Sequence, residues 1–309
     1  MHAPSPLRLT KHHGAGNDFL VLLDADDRRP VTAAEVGALC DRHRGIGADG
    51  LLRAVPGRHG AHLAMELRNA DGSVAEMSGN GIRCLVQAAV DAGWVSPGDV
   101  EVDTAAGRRR VTYRPGPEPG LAFASVGMGV PVLGEPVDAE MLGLGDVPGM
   151  AFGAVRAARA VDMGNPHVVV LLAAPLAGES GDAVVRGAGA RLERSVPSGA
   201  NVEFVWAGPG ADELTMRVWE RGVGETLACG TGTCAAVAAT ASWGVTGGRV
   251  VVHNPGGPLE VELTDDGAVL GGPTATVASI DVDDTLLARM AGGGGRGEEE
   301  RGQQVAAAR

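Results

Sequence analysis

The chain has 309 residues, of which 44% are hydrophobic and 21% are charged, and its formal net charge at pH 7 is −12. This composition is typical of a globular protein, and the acidic balance argues against nucleic acid or an anionic membrane as a partner, because either needs a basic surface. No stretch approaches the ~18 consecutive apolar residues of a membrane-spanning helix, and no secretion signal is evident, so we expect a cytoplasmic protein. The 4 cysteines show neither CxxC spacing nor the density of a disulfide framework, and we expect no metal centre.

The first half of the chain is predicted to contain short strands and two helices. A capping box, with Thr32 as the N-cap and Glu35 three residues later, predicts a helix over residues 32–42. An apolar run over residues 82–90 predicts a second helix, shortly after the turn that begins at Ser78. Alternating apolar residues between turns predict strands within residues 7–24 and near 51–52, 62–68, 100–103, 109–113 and 122–128.

The second half is predicted to resume the same order of elements near Val161. A lone Cys229 directly precedes Gly230-Thr231-Gly232, and the small apolar residues that follow predict a buried helix beginning just after the cysteine. A polar loop is expected between residues 172 and 201. Residues 290–309 are rich in glycine and then in charge, which predicts a disordered tail. Strands are predicted at residues 168–172, 201–205, 213–219, 250–253, 259–263 and 275–279.

The two halves form an internal repeat. Ser78-Gly79-Asn80-Gly81 matches Cys229-Gly230-Thr231-Gly232 at an offset of 151 residues (229 − 78 = 151), and each tetrapeptide precedes an apolar helix. Near the front of each half, Gly16-Asn17 matches Gly164-Asn165 at an offset of 148 residues (164 − 16 = 148). Two similar domains arranged about a pseudo-twofold axis would bring the two helix N-termini together across a cleft.

Paired helix N-termini suit a site for an anion and for a reactive side chain. Unpaired backbone N–H groups and the positive end of the helix dipole would hold a carboxylate and favour the thiolate of Cys229. Ser78 and Cys229 would flank one bound carbon atom, which is the geometry for removing a proton from one face and returning it to the other. A cysteine before a helix is more often only a buried apolar residue, so it is the repeat that favours a reactive role.

Several motifs then follow one another in a characteristic order. They are HGAGNDF at residues 13–19, RNADGSVAEMSGNGIR at 68–83, MGNPH at 163–167, ANVEF at 200–204 and ERGVGETLACGTG at 220–232. With these motifs the chain, from about Leu7 to Ala288, resembles the diaminopimelate epimerase family. The resemblance implies an α+β fold of two pseudo-symmetric domains, each a curved β-sheet or barrel around a central helix, with the active site in the cleft between them. We expect an N-terminal domain of residues 1–127 plus 273–289 and a C-terminal domain of residues 128–272.

The resemblance also implies an activity and the residues that perform it. The reaction is the epimerisation of LL-2,6-diaminopimelate to meso-diaminopimelate, in lysine and peptidoglycan-precursor biosynthesis, by deprotonation and reprotonation at Cα in a homodimer that uses no cofactor. Cys229 resembles one of the family's two catalytic thiols, and Glu220 and His167 resemble the residues that pass protons at the two thiol positions. The residues that resemble contacts to the small-molecule substrate are the backbone donors Gly79, Asn80, Gly230 and Thr231, and a polar cage of Asn17, Asn69, Asn165, Asn201 and Arg221 together with Glu220.

The chain departs from the family at two positions. Gly50 stands where the family has glutamine, which removes one polar contact. Ser78 stands where the family has its first catalytic cysteine, and a hydroxyl is a far weaker acid than a thiol, whose ordinary pKa is about 8.5. Ser78 also suits the purely structural role of a helix N-cap, and Cys84 lies too far along the helix to replace it.

Three functions therefore stay open. The chain is a working diaminopimelate epimerase with Ser78 opposite Cys229, or a related amino-acid epimerase or one-base dehydratase that resembles the hydroxyproline-directed part of the superfamily, or a catalytically silent protein that binds an amino acid. We favour the first function, because the polar cage is retained, including Arg221 with its planar fork for a carboxylate.

Overall fold

The computed structural model describes residues 7–137, 144, 153–283 and 285–286. Within these residues the chain forms a 17-stranded sheet and four helices, and the predicted α+β class is confirmed. None of the helices in this described part is both long and apolar enough to cross a membrane. The predicted tail over residues 290–309 lies outside the described residues.

In the first half of the chain, strands surround one central helix. The elements are β1 (Arg8–Gly14), β2 (Asn17–Leu23), α1 (Ala33–Cys40), β3 (Gly50–Pro56), β4 (Leu63–Asn69), β5 (Val74–Ala75), α2 (Gly79–Asp91), β6 (Gly98–Thr104), β7 (Gly107–Pro115) and β8 (Leu121–Gly129). The predicted capping box of Thr32 and Glu35 begins α1. Helix α2 contacts β1, β2, β3, β4, β7 and β8, and its residues 79–89 are all buried among these strands.

The second half repeats this order of elements. They are β9 (Val132–Pro136), β10 (Val155–Asp162), β11 (Pro166–Leu172), α3 (Gly178–Ser195), β12 (Asn201–Ala207), β13 (Glu213–Glu220), β14 (Gly224–Thr226), α4 (Gly230–Ser242), β15 (Arg249–Asn254), β16 (Gly257–Thr264) and β17 (Gly267–Asp281). The series from β11 to β17 reproduces the series from β2 to β8, with a helix at each corresponding place. Helix α4 begins directly after Cys229, as predicted, and packs among β10, β11, β12, β16 and β17.

Helix α3 lies where a polar loop is expected, so that prediction is wrong. Its N-cap, Ala177, makes no side-chain hydrogen bond, and Gly181 and Gly189 lower the intrinsic helix propensity of the segment. Packing forms the helix nonetheless, because its apolar stripe is buried in one cluster with side chains of β11 and β12. A Cβ on Gly189 would lie only 2.6 Å from the Trp219 side chain, so this glycine allows the close approach of helix and sheet. The buried stripe consists of Val184, Val185, Ala188 and Leu192.

Strand β17 connects the two halves. Its residues 267–271 pair with β16 and its residues 275–281 pair with β1, while residues 268–275 also pair with β8. The same strand contacts both central helices. The domain boundaries, including the predicted return of the chain to the first domain at residue 273, stay a prediction.

Candidate active site

Three strand ends in the first half place polar residues at one edge of the sheet. Strand β2 begins at Asn17, the parallel β3 begins at Gly50, and the antiparallel β4 ends at Asn69. The Nδ2 atom of Asn17 donates to Oδ2 of Asp49 at 2.7 Å, and Nδ2 of Asn69 donates to Oγ of Ser73 at 3.0 Å. The two cage residues predicted for this half therefore lie at the same edge.

The corresponding edge of the second half carries the remaining polar residues. His167 near the start of β11 pairs with Asn201 at the start of the parallel β12, and the antiparallel β13 ends at Glu220. The Oδ1 atom of Asn201 accepts a hydrogen bond from the backbone N–H of Arg221 at 2.8 Å. The Arg221 side chain is exposed and donates through Nη1 to the carbonyl of Ser198 at 2.9 Å. Strand ends thus bring these predicted residues together in the same way in both halves.

The two central helices begin with matching caps. Ser78 is the N-cap of α2, and its Oγ accepts a hydrogen bond from the N–H of Gly81 at 3.0 Å. Cys229 is the N-cap of α4, and its Sγ accepts a hydrogen bond from the N–H of Gly232 at 3.4 Å. The serine and the cysteine therefore occupy equivalent positions in the two halves.

The N-termini of α2 and α4 meet. A Cβ on Gly230 would lie 3.5 Å from the Cα of Gly79, so the two helices touch through glycine backbone. Asn80 reaches across this contact, with Nδ2 at 3.4 Å from the carbonyl oxygen of Ala228 and at 3.4 Å from Oδ1 of Asn17. The unpaired N–H groups of both first turns lie close together, which suits a bound carboxylate.

Cys229 is buried among oxygen atoms. The hydroxyl of Thr231 lies 3.4 Å from its Sγ, and Nδ2 of Asn165 lies 3.5 Å from that hydroxyl. Burial raises the pKa of the Cys229 thiol well above its ordinary value, and the nearby carboxylates of Glu220 and Glu203 raise it further, although the Thr231 contact opposes this change. The helix N-terminus does favour the thiolate, through the hydrogen bond from the N–H of Gly232, but burial and the two carboxylates outweigh this contribution to the pKa of Cys229.

Glu220 is placed to exchange a proton with this thiol. Burial raises the pKa of Glu220, while hydrogen bonds with Thr226 and Cys229 oppose the rise. The hydroxyl of Thr226 donates to Oε1 of Glu220 and holds the carboxylate in place. A carboxylate whose pKa is raised binds a proton more readily, so sulfur and carboxylate can pass a proton between them.

His167 forms a buried pair with a residue that the sequence does not single out as functional. Its Nδ1 lies 2.7 Å from Oε1 of Glu203, and its Nε2 lies 3.0 Å from Oδ1 of Asn165. Both side chains of the pair are fully buried, and Oε2 of Glu203 has no hydrogen-bond partner in the described part of the chain. Glu203 therefore fixes the orientation of the imidazole ring. The available sequence signal is a glutamate within the otherwise apolar centre of β12.

Titratable groups surround the two caps unequally. A Cβ on Gly232 would lie 2.4 Å from Oε1 of Glu203, and a Cβ on the equivalent Gly81 would lie 3.3 Å from Cδ2 of Leu52. The first half thus has a leucine where the second half has a buried carboxylate. Glu220 and His167 also have neutral equivalents in the first half. The repeat offsets give Leu52 for Glu203 (203 − 151 = 52), Asn69 for Glu220 (220 − 151 = 69) and Phe19 for His167 (167 − 148 = 19).

Two pseudo-symmetric halves whose central helices meet at their N-termini, each with a protic cap, form a site typical of an isomerase that moves a proton at a carbon atom bound between the caps. The chain belongs to the diaminopimelate epimerase family, whose family model matches residues 9–133 and 159–277. It is 41% identical over 276 residues to the diaminopimelate epimerase of Corynebacterium glutamicum, which covers 87% of this chain and 95% of that protein. The diaminopimelate epimerase of Thermobifida fusca is 40% identical over 291 residues, which covers 89% of this chain and 98% of that protein.

Solved structures share the fold at low sequence identity. A phenazine biosynthesis protein of Bacillus anthracis matches with a TM-score of 0.69 at 14% identity, over 90% of this chain and 99% of its own. A hydroxyproline epimerase of Agrobacterium vitis matches with a TM-score of 0.62 at 16% identity, over 92% of each chain. At such low identity these likenesses define the fold alone.

Proposed function

We propose that the chain interconverts LL-2,6-diaminopimelate and meso-diaminopimelate by removing the Cα proton from one face and returning a proton to the other, without a cofactor. The observation that carries this function is the contact between two helix N-termini capped by Ser78 and Cys229. The choice of substrate is supported by the 41% identity to a curated diaminopimelate epimerase over most of both chains.

The carboxylate at the reacting centre binds between the N-termini of α2 and α4. Backbone N–H groups in the two first turns, including those of Asn80 and Thr231, donate hydrogen bonds to it. Both positive helix ends stabilise the negative charge that develops when Cα loses its proton. The distal amino-acid end binds in the polar cage, where fixed amide groups such as Asn17 and Asn201 favour a substrate with a second polar centre.

Cys229 serves one face of the reacting carbon. In the direction that removes the proton from this face, the thiol proton passes to Glu220 and the thiolate takes the Cα proton. Because its pKa is raised, the thiolate is a strong base once it forms. His167, oriented by Glu203, opposes the rise in the pKa of Glu220, and the resemblance implies that Glu220 and His167 assist proton transfer at one cap each.

Ser78 serves the opposite face. In one direction of the reaction its hydroxyl donates a proton to the carbanion, and the alkoxide that remains regains a proton from water. In the other direction the hydroxyl must first give up its proton to water or another base, and the alkoxide oxygen then takes the Cα proton. A hydroxyl is poorly suited to the second task, and the residues equivalent to the carboxylates beside Cys229 are Leu52 and Asn69. Proton transfer on the Ser78 face therefore limits the rate.

The same asymmetry supports a second candidate function. If Ser78 took no part in proton transfer, Cys229 alone would exchange the Cα proton with solvent and leave the configuration unchanged. That behaviour is one-base chemistry, which fits a dehydratase acting on another amino acid. A protein that binds without exchange would be catalytically silent.

Incubation of each diaminopimelate isomer in D2O separates these functions. Inversion accompanied by Cα deuteration, followed by NMR, is the result expected for the epimerase. Deuteration without inversion would identify one-base chemistry, and binding by calorimetry without deuteration would identify a silent protein. The Cys229→Ala variant is expected to lose all exchange, and continued exchange in it would contradict the role of Cys229.

We also propose that the enzyme works as a cytoplasmic homodimer, as its family resemblance implies. Val130, Val132 and Leu133 are exposed apolar residues in and just before β9, and they offer a face that a second copy would cover. Light scattering after gel filtration is expected to give a dimer, and Val132→Lys to shift it towards the monomer. A parent protein that is monomeric at assay concentration would contradict the dimer.

A further inference from the structure

Arg83 is a buried arginine in the second turn of α2 that the proposed mechanism does not use. Its side chain is fully buried. The Nη1 atom donates to the carbonyl oxygen of Gly79 at 3.0 Å, and Nη2 donates to Oδ1 of Asn80 at 2.8 Å. Both partners belong to the first turn of the same helix, so the guanidinium points back towards the N-terminus that Ser78 caps.

The surrounding sheet leaves space for this guanidinium. A Cβ on Gly14 in β1 would lie 3.1 Å from Nη2 of Arg83, and a Cβ on Gly272 in β17 would lie at the same distance. A glycine on each of these two strands therefore forms a slot for the charged group. The slot lies where β1, β17 and α2 pack together.

The guanidinium keeps its charge in this buried place. Burial lowers the pKa of Arg83 to about 10, which still leaves it protonated at neutral pH. No carboxylate forms an ion pair with it in the described part of the chain, and its Nε has no hydrogen-bond partner there. A buried charge without a counter-ion is costly, so this arginine is a poor choice for stability alone.

We propose that Arg83 is a positioning residue for the anion site at the N-terminus of α2, where its charge favours negative charge at the bound carboxylate and at residue 78. The hydrogen bond to the carbonyl of Gly79 polarises the peptide group that joins Gly79 to Asn80. The N–H of this peptide group belongs to Asn80 and points in the direction opposite to the carbonyl, out of the helix N-terminus. The second hydrogen bond fixes the amide of Asn80, which reaches across to the other half. The part of this inference that concerns the substrate carboxylate rests on the proposed function.

The second half has no such cation at the equivalent position. The repeat offset places Cys234 there (83 + 151 = 234), and this side chain is buried and neutral. The charged groups near Cys229 are instead the carboxylates of Glu203 and Glu220, which disfavour its thiolate. Charged groups of opposite sign therefore lie beside the two helix starts, a guanidinium within the helix that Ser78 caps and two carboxylates beside Cys229.

A thiol placed at residue 78 measures the effect of the guanidinium charge without any need for turnover. The double variant Ser78→Cys, Cys229→Ala carries one thiol at the helix cap, and the pH dependence of its alkylation by iodoacetamide gives its pKa. Burial raises the pKa of Cys84 to about 11 and the pKa values of Cys40 and Cys234 to about 12, so these thiols do not compete. Mass spectrometry of the labelled peptide identifies the site.

Adding Arg83→Met to this double variant is expected to raise the pKa of the cap thiol by about one unit, which slows alkylation about tenfold below that pKa. Arg83→Lys keeps the charge and is expected to cause less than half of this shift. Arg83→Gln gives a second neutral side chain in case the methionine variant does not fold, as judged by circular dichroism. Arg53→Met is the matched control, because Arg53 is a buried arginine paired with carboxylates of the first half and its loss should leave the cap thiol unchanged.

A thiol pKa that is the same with arginine, methionine and glutamine at residue 83 would overturn the inference. An equal shift of the thiol pKa in the Arg53→Met control would also overturn it, because the change would then reflect a general loss of packing in the first half and not the charge of Arg83. Failure of the parent protein to turn over diaminopimelate would refute the proposed function and leave the measured thiol shift standing. In the parent background, Arg83→Met is expected to raise the KM for diaminopimelate at least tenfold, and Arg83→Lys to recover part of this loss.

Discussion

Replacing Ser78 with cysteine changes the chemistry of the first helix cap and little else. The hydroxyl accepts the N–H of Gly81 at 3.0 Å, and the thiol of Cys229 accepts the N–H of Gly232 at 3.4 Å in the equivalent place. The backbone of a helix cap in this fold therefore accommodates sulfur with a slightly longer contact. The substitution exchanges a very weak acid for one whose ordinary pKa is about 8.5.

The expected gain in rate is large beside the cost in stability. A well-placed acid or base contributes typically 10²- to 10⁴-fold, so we expect kcat to rise about a hundredfold, which is about 2.7 kcal/mol of activation free energy. Sulfur caps a helix less well than the serine oxygen, and the loss is about 1 kcal/mol. This loss lowers the melting temperature by about 2–4 °C for a chain of this size. Activity and stability move in opposite directions, so better folding cannot explain the gain.

Initial rates of inversion by NMR at saturating LL-diaminopimelate, with thermal melts on the same samples, test this expectation. The matched control is Ser78→Ala, which removes the hydroxyl and is expected to abolish inversion. An unchanged or lower rate in the cysteine variant, with native circular dichroism, would refute the view that the hydroxyl limits the reaction. Parent-like inversion in the alanine variant would show that residue 78 transfers no proton.

Three further outcomes are expected. Glu203→Gln removes a carboxylate that raises the pKa of Cys229, so iodoacetamide should label Cys229 faster at pH 8, as peptide mass spectrometry would show; a slower reaction would contradict this. Mild oxidant should inactivate the parent less than its Ser78→Cys variant in activity assays, because a disulfide between the caps needs two thiols, and equal losses would argue against it. Thermal stability should fall as the pH rises above about 8.5. Burial raises the pKa of Cys40 and of Cys234 to about 12 in the folded protein, so between pH 8.5 and 12 only the unfolded chain ionises these thiols. A melting temperature that stays constant from pH 7 to 10 would oppose this expectation.

Local patterns in the sequence are enough to predict the repeat and the two helix caps. The tetrapeptides that begin at Ser78 and Cys229 are recognisable because small residues, glycines and apolar runs follow one another at fixed spacing. The capping box that starts α1 is equally local and is confirmed. Helix α3 is different, because its glycines and uncapped start weaken the local signal and only contact with β11 and β12 stabilises it.

Electrostatics of the site could not be predicted in the same way. The helix N-terminus before Cys229 is visible in the sequence and favours a thiolate, but it is opposed by burial and by the carboxylates of Glu203 in β12 and Glu220 at the end of β13, whose distance from the sulfur depends on the fold. Glu203 interrupts an apolar strand, and Arg83 interrupts an apolar helix, so each is noticeable as a charge in a buried run. The partner of Glu203, His167, becomes known only when the fold brings β11 beside β12, whereas Arg83 contacts Gly79 and Asn80 within its own helix.

The unequal caps also restrict what kinetics can show. An enzyme cannot change the equilibrium between the LL and meso isomers, so the ratio of forward to reverse kcat/KM is the same for every variant. Ser78 donates a proton in one direction of the reaction and accepts one in the other. A slow proton transfer at this residue nevertheless lowers kcat/KM by the same factor in both directions. Ser78→Cys must raise both values equally, and Cys229→Ala must lower both equally. Side chains such as Arg83 and Glu203 can decide which proton transfer is slower, but not which isomer is favoured.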